Sequence, residues 1–583
     1  MRALPPLAVF AASFFLFAFL FLAAPSIPDA DSYYHLAVAR EFAANGYPDA
    51  LPWARFSVLG RTFGDKELGF HWLLVPFTWA DAATGGRLAL ALLNAAVAAS
   101  ITGFAARTAG WWSVLVPLWL YAAAPMMTFR LIRLRPELLA LLLLLALIAA
   151  ASRKRYVWIG AIAALFALSY TAFHVVLGLA ALWFLIDRDW KLPAAAFAGT
   201  AIGLLAHPGF PGNLRVWWIQ NVLFFLEKSR LDVGTEITAA TTDFFFLGNL
   251  GWWAGIALLW WGGRRAGFSP PRDGLKPVLH LVIAAAVFAI LALLMQRFAV
   301  YFVPLLTLVA LERLRRPRLV LALLATALLS LPATARIYRE LLIDNRSEPD
   351  YTRFARALPP GAKVAAHWGP AEFYTFFAPH GRYLNVLDPV FMAVPFPRVY
   401  TAQRRLFEGS EPDVPGVTKD LLDSDYLAFP ADSPLFERVQ HDPRIVPLYS
   451  GATFLGRIVP SNAFVRDWNG KQHGAYVDAR GKAPCTRLVR EESVAADATR
   501  IYELAPYGPA EITIGDALHL RAGPSRAILG RGTAFRVQLS RGTHRFTVTT
   551  CRDDSGTNGF YLLLRASSPL SPARGEGTDG GLR

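Results

Sequence analysis

Cysteine is nearly absent: two residues, Cys485 and Cys551, in a chain of 583. That excludes a disulfide-rich scaffold and a four-cysteine metal site. Charge is also scarce, at 17% of residues, and it is nearly missing from the centres of the long apolar runs. A transporter that carries ions along mid-span charges is therefore not expected. There is no Gly-rich nucleotide loop of the GxxxxGK[ST] type and no fixed-period repeat. In their place the chain is 54% hydrophobic, with a mean hydropathy of +0.36, and the apolar residues gather before Pro332. A membrane domain followed by a water-soluble one is the class these totals select. The net charge of +15 would suggest nucleic acid in a soluble protein. Here much of the Lys and Arg falls in short loops between apolar runs, where it sets orientation, so membrane lipids are expected partners and nucleic acid is not.

With about 20 apolar residues needed to cross the hydrocarbon, the sequence reads as about eleven spans. They lie near 7–24, 85–106, 111–127, 136–151, 156–172, 174–187, 193–207, 244–262, 278–295, 298–312 and 318–334. The first begins with a basic residue and resembles a signal peptide, but its apolar run is long and it is read as retained. Placing Arg2 inside puts Arg107, "SRKR", "DRDWK", the 264–276 loop and "ERLRRPR" inside too, as expected of cytoplasmic loops. The outer face then receives the 25–84 loop, the "RLIRLRPE" turn, the 208–243 loop and the tail. In the 208–243 loop, "NLRVWWIQNVLFFLEK" is read as a helix lying at the interface.

Four segments are expected: a polytopic transmembrane domain over 1–335, a soluble α/β domain over 336–464, a β-rich, sandwich-like domain over 465–567 and a disordered end over 568–583. The β-rich part shows no aromatic row at period two and is read as a cap rather than a carbohydrate-binding module. An isolated cysteine pair in an external tail fits one disulfide, Cys485 to Cys551, and free buried thiols are the alternative.

Asp29 and Asp31 follow the first span on the outer face, and ionisable residues beside lipid are functional candidates. They also suit the N-cap of the helix that starts near Ser32. Oxygen ligands of this kind, followed by Tyr33, Tyr34 and His35, are candidates for a hard cation such as Mg or Mn, or for holding an acceptor hydroxyl. Arg130, Arg133 and Arg135, with Glu137, form a basic cluster on the outer side, against the orientation rule. Their guanidinium groups suit a phosphate or pyrophosphate, or ordinary anionic headgroups. Arg297 interrupts two apolar runs and is expected either to hold an anionic ligand or to pair with Asp31 or Glu236. His35 and His71 are reserve candidates, His71 being read mainly as aromatic packing beside Trp72.

"DADSYYHLAVAREFAANGYP", from Asp29 to Pro48, resembles the first outer loop of the GT-C superfamily of integral-membrane glycosyltransferases, most of all archaeal and bacterial oligosaccharyltransferase catalytic subunits. "QRFAVYFVP" is similar to that family's Arg-Phe-x-x-Tyr stretch, and "GTEITAA" to its Glu-bearing mobile loop. The resemblance implies a helical GT-C-like membrane domain, with Asp31 near a divalent cation, Arg297 on the donor phosphate and Glu236 closing over acceptor or metal. The second acidic motif appears only as Arg-Pro-Glu, so Glu137 stands in its place. His367-Trp368-Gly369 occupies the position of the Trp-Trp-Asp-Tyr-Gly signature of sequon-binding enzymes.

A family member of this kind moves a sugar or oligosaccharide from a polyprenyl phosphate or pyrophosphate to a protein, lipid or glycan acceptor on the non-cytoplasmic face. Arg297, helped by Arg135 or Arg133, would neutralise the leaving phosphate, with Asp31, Glu137 and Glu236 on the acidic side. The alternatives are a single-sugar transferase resembling the protein O-mannosyl and aminoarabinose transferases, and a non-enzymatic polytopic membrane protein. The expected location is the cytoplasmic (inner) membrane, with the N-terminus cytoplasmic and the tail external.

Overall fold

The computed structural model describes residues 4–79, 81–234, 237–264, 275–312, 314, 318–344, 347–440, 442, 444–459, 468–469, 471–473, 476–479, 483–525, 532–553 and 558–565. The expected disordered end, 568–583, lies outside them. The chain divides into two compact units, one of residues 1–361 with 366–404, the other of 362–365 with 405–583.

The first unit is helical, and a helix occupies every apolar segment read from the sequence. Among the described residues four helical stretches are long and apolar enough to cross a membrane: Leu4–Ala23, Ala82–Ala123, Thr242–Trp261 and Leu319–Ala357. Shorter apolar helices include Glu137–Ser152, Tyr156–Ser169, His174–Asp187, Lys191–Leu205 and Gln296–Leu311. The second and third expected spans are one continuous stretch, in which the Ala82–Ala109 helix passes through a tight turn at Gly110–Val114 into Leu115–Ala123. Gly110, at φ 57°, takes the left-handed conformation at this junction at no side-chain cost.

These helices keep large apolar groups on their outer faces; Phe15 and Phe19 are 72% and 71% exposed. Water would penalise such a surface and lipid does not, so this is an integral membrane protein. Where helices meet, small residues let backbones approach. A Cβ on Gly199 would collide with the Gly160 carbonyl, and one on Gly203 with that of Ala164, so Tyr156–Ser169 and Lys191–Leu205 pack backbone to backbone.

Two further helices of this unit frame the site. Ala30–Asn45 starts just after the first span, and most of its side chains are buried. It packs against Trp368–Phe377 through Tyr33, whose ring lies 5.1 to 5.3 Å from those of Phe373, Phe376 and Phe377. The Arg40 guanidinium sits 4.7 Å over the Phe376 ring. The Tyr33 hydroxyl donates to Glu348 Oε1 at 2.6 Å, and Arg87 donates to the same oxygen at 2.7 Å, which ties in the Glu348–Ala357 helix.

The second unit begins with strands at Tyr426–Pro430, Ile445–Ser450 and Thr453–Ile458, the last pairing antiparallel with the other two. It continues as two antiparallel sheets of four and five strands. Residues alternate in the Thr533–Leu539 strand, with Phe535, Val537 and Leu539 inward, as a half-buried strand requires. They join Tyr502, Leu504, Ile512, Phe546, Val548, Phe560 and Leu562 in one core, the packing of a β-sandwich. Cys485 and Cys551 face each other across the paired strands Cys485–Val494 and Gly542–Cys551 and are joined by a disulfide. The bridge closes a loop with a sequence separation of 66 residues. Cys485→Ser is therefore expected to destabilise this unit by about 2–4 kcal/mol, measured by thermal melting of the purified protein with and without reductant. Reductant should leave the variant unchanged.

Candidate active site

Asp31 and His35 are four residues apart on the Ala30–Asn45 helix and so share one face; that face lines a cavity of about 170 Å3. Lys66 and Glu67 enter from the outer loop and the start of the Leu68–Leu74 helix, Arg135 and Glu137 from the "RLRPE" turn, and Gln220 from the 208–243 loop. Arg297 comes from the junction before Ala299–Leu311, and Trp368, Glu372 and Asp388 from later in the same unit. Asp31 and Arg297, 266 residues apart in sequence, thus line one polar chamber. A second, smaller cavity shares Gln220, Ile237, Arg297 and Asp388 with it and continues among Tyr170, Phe224, Phe225 and Phe298.

Ion pairing decides which of the expected residues are available to a ligand. Arg135 grips Asp29 bidentately, Nε to Oδ2 at 2.6 Å and Nη2 to Oδ1 at 2.7 Å, and its Nη1 reaches Asp31 Oδ2 at 2.9 Å. Arg133 lies 3.7 Å from Asp29 and its guanidinium stacks 3.6 Å over Phe129; it does not line the cavity. Asp29 occupies the N-cap position, but its side chain makes no capping hydrogen bond, because both oxygens face Arg135. The Asp29–Arg135 pair is buried, and removing Asp29 takes away two of the hydrogen bonds of Arg135 while leaving its contact with Asp31. Asp29→Ala is expected to cost about 1–3 kcal/mol, read as a lower melting temperature of the detergent-solubilised protein; an unchanged melting curve would count against the pairing.

This arrangement also bears on the expected cation. Of the expected cation ligands, Asp29 is engaged by Arg135, Asp31 lines the cavity, and Glu236 lies outside the described residues. Arg297 Nη2 lies 3.0 Å from Glu137 Oε1, and Arg130 approaches the same oxygen at 3.7 Å. Glu137 is thus held between two arginines, and its Oε2 is buried without a hydrogen bond.

Other lining groups were not singled out by the sequence. Lys66 lies 3.3 Å from Glu67 Oε1 and 4.0 Å from Asp388 Oδ2. Burial pulls its ammonium down, but Glu67 and Asp388 outweigh that and hold it above its ordinary range. Lys66 is therefore a third cation at the cavity, with Arg135 and Arg297. Gln220 donates to Asp388 Oδ2 at 2.7 Å. Glu372 is fully buried, and burial together with the hydrogen-bonded carboxylate of Asp31 pushes its carboxyl well above the usual range. Its carboxyl shares a hydrogen bond with Asp31 and steadies it. Burial, with His71 and Lys66, likewise drives the His35 imidazole well below its ordinary value, so it is neutral. His71 does more than pack beside Trp72: its Nε2 lies 2.9 Å from His35 Nδ1 and its Nδ1 2.7 Å from Asp65 Oδ2. "DKELGFHWLL" carries the signal for Lys66 and Glu67, a charged triplet opening an otherwise apolar helix.

No protein-family model and no curated protein matches the sequence. The fold does match solved structures. The archaeal oligosaccharyltransferase AglB from Archaeoglobus fulgidus, in complex with an inhibitory peptide and a dolichol-phosphate, is 9% identical, with 96% of each chain covered and a TM-score of 0.53. The oligosaccharyltransferase of the same organism in the apo form is 11% identical, again over 96% of each chain, with a TM-score of 0.52. ArnT from Cupriavidus metallidurans bound to undecaprenyl phosphate is 14% identical over 77% of this chain and 97% of its own, with a TM-score of 0.50. The chain thus shares its fold with these structures.

Proposed function

From the shared GT-C glycosyltransferase fold, we propose that the chain is a membrane glycosyltransferase that takes a sugar or oligosaccharide from a polyprenyl phosphate or pyrophosphate. Two of the similar structures hold a dolichol-phosphate or an undecaprenyl phosphate. The observation that carries the reading here is the single chamber lined by Asp31, Arg297 and Lys66 together.

The reaction breaks the bond between the anomeric carbon and a phosphate oxygen and forms one from that carbon to an acceptor oxygen or nitrogen. The acceptor's proton goes to the Asp31 carboxylate, which acts as general base. Negative charge that develops on the leaving phosphate falls between Arg297 and Lys66, the guanidinium offering a fork and the ammonium a point charge. Arg135 holds Asp31 from behind and Glu372 donates to it; both are positioning residues. Glu137 fixes the Arg297 guanidinium. The adjoining cavity among Phe224, Phe225 and Phe298 suits the first apolar units of the carrier lipid. Donor and acceptor meet on the non-cytoplasmic side, with the N-terminus cytoplasmic. The polar lining and small volume favour a headgroup with few sugars over a long glycan, which keeps the single-sugar transferase as the second reading.

Purification with native lipid, followed by mass spectrometry of the extracted lipid, tests the donor class. The wild-type protein should carry a polyprenyl phosphate species. Only bulk phospholipid in the extract would remove the proposal.

A further inference from the structure

His35, Glu67 and His71 have no part in the transfer scheme above. We propose that they form a binding site for one metal ion of the zinc class, with an open position facing the cavity. The three ligand atoms lie within 4.8 Å of one another. His35 Nδ1 is 2.9 Å from His71 Nε2 and 3.9 Å from Glu67 Oε2. Ligands about 2.0–2.1 Å from a tetrahedral zinc stand about 3.3 Å apart, between those two separations, so binding an ion would draw Glu67 toward the two imidazoles by side-chain rotation, over at most about 1.5 Å from the 4.8 Å limit. Two imidazole nitrogens and one carboxylate oxygen suit zinc and its transition-metal neighbours, and do not suit magnesium or calcium.

Three features separate this group from an ordinary buried polar cluster. Asp65 accepts from His71 Nδ1 at 2.7 Å, which leaves the Nε2 lone pair pointing at the centre of the group, the arrangement that carboxylates impose on metal-bound histidines. Asp65 also accepts from the Glu67 amide at 3.0 Å, so one carboxylate sets both ligands. Glu67 Oε2 is buried and makes no hydrogen bond, although its sister oxygen faces Lys66. A hydrogen bond between the two imidazoles would explain their approach but would leave this oxygen uncompensated; a cation satisfies all three atoms. His71 is fully buried, while His35 and Glu67 line the cavity. An ion held there has its remaining coordination directed at the chamber, open to an oxygen of a bound phosphate or hydroxyl group.

The site is testable independently of sugar transfer. The full-length protein, its affinity tag removed and stripped with chelator in detergent, is titrated with Co2+ while the visible absorption of a low-coordinate site is followed, and then with Zn2+ as competitor. About one Co2+ per chain should bind and be displaced by Zn2+, and the melting temperature should rise with either ion. Asp65→Asn, which removes no ligand, should weaken binding by roughly 10- to 100-fold. Glu67→Gln and His71→Gln should abolish the saturable absorption. X-ray absorption of the zinc-loaded wild-type protein needs no variant to fold and should show two imidazoles with lighter oxygen neighbours. Absence of saturable Co2+ and Zn2+ binding by the wild type, binding retained by Glu67→Gln and His71→Gln together, or a zinc environment without two imidazoles would each overturn the proposal.

Discussion

Asp31→Asn is expected to lower the rate of sugar transfer by about 10^2- to 10^4-fold, the usual contribution of a general base, with the protein still folded. Asparagine keeps the shape and can accept from Glu372, but it cannot take the acceptor's proton. Arg135 loses one ionic contact and keeps its two hydrogen bonds to Asp29, so the melting temperature should change little. Polyprenyl-lipid capture should persist, because the phosphate is held by other residues. Turnover by the variant at the wild-type rate would remove Asp31 from the chemistry.

Arg297→Ala has the second large effect, and it falls on donor binding. A charge-assisted hydrogen bond contributes about 1.5–3 kcal/mol, so capture of the polyprenyl phosphate should weaken by roughly 10- to 100-fold. Arg297→Lys should restore part of it, since an ammonium supplies charge without the fork. Stability will also fall, because Glu137 loses its 3.0 Å partner and keeps Arg130 at 3.7 Å. The two effects are separable: a purely structural role for Arg297 would lower the melting temperature and leave the lipid content unchanged.

These two residues were also the most legible in the sequence, for a physical reason. Asp31 follows directly on the first apolar run and Arg297 interrupts two such runs, and a charge beside lipid is costly unless it has work or a partner, so their oddity is local and visible. The helices were legible on the same basis, as apolar runs, although residues 107–110, read as a loop between two spans, lie within one continuous helical stretch. The β-sandwich showed itself by alternation, as in Phe535, Val537 and Leu539. Pairing was what the sequence did not show. Arg135 reads as a phosphate ligand because an outer-face arginine is unusual, yet its partner is Asp29, 106 residues away. Glu372 and Asp388 lie in stretches without periodic or compositional signal, and only the fold brings them to the cavity. His71 looked like aromatic packing because Trp72 is its neighbour in sequence, whereas its neighbours in space are Asp65 and His35.

The central claim is that one chamber holds both the leaving phosphate and the base that activates the acceptor. Its most direct test is turnover in solubilised native membranes, which contain donor and acceptor together, with release of free polyprenyl phosphate or pyrophosphate followed by mass spectrometry after the purified protein is added. The account predicts release with the wild-type protein, loss of release with Asp31→Asn despite retained lipid, and loss of both release and retained lipid with Arg297→Ala. Equal release by all three proteins, or none by the wild type while it carries intact polyprenyl-linked sugar in the presence of acceptor, would contradict it.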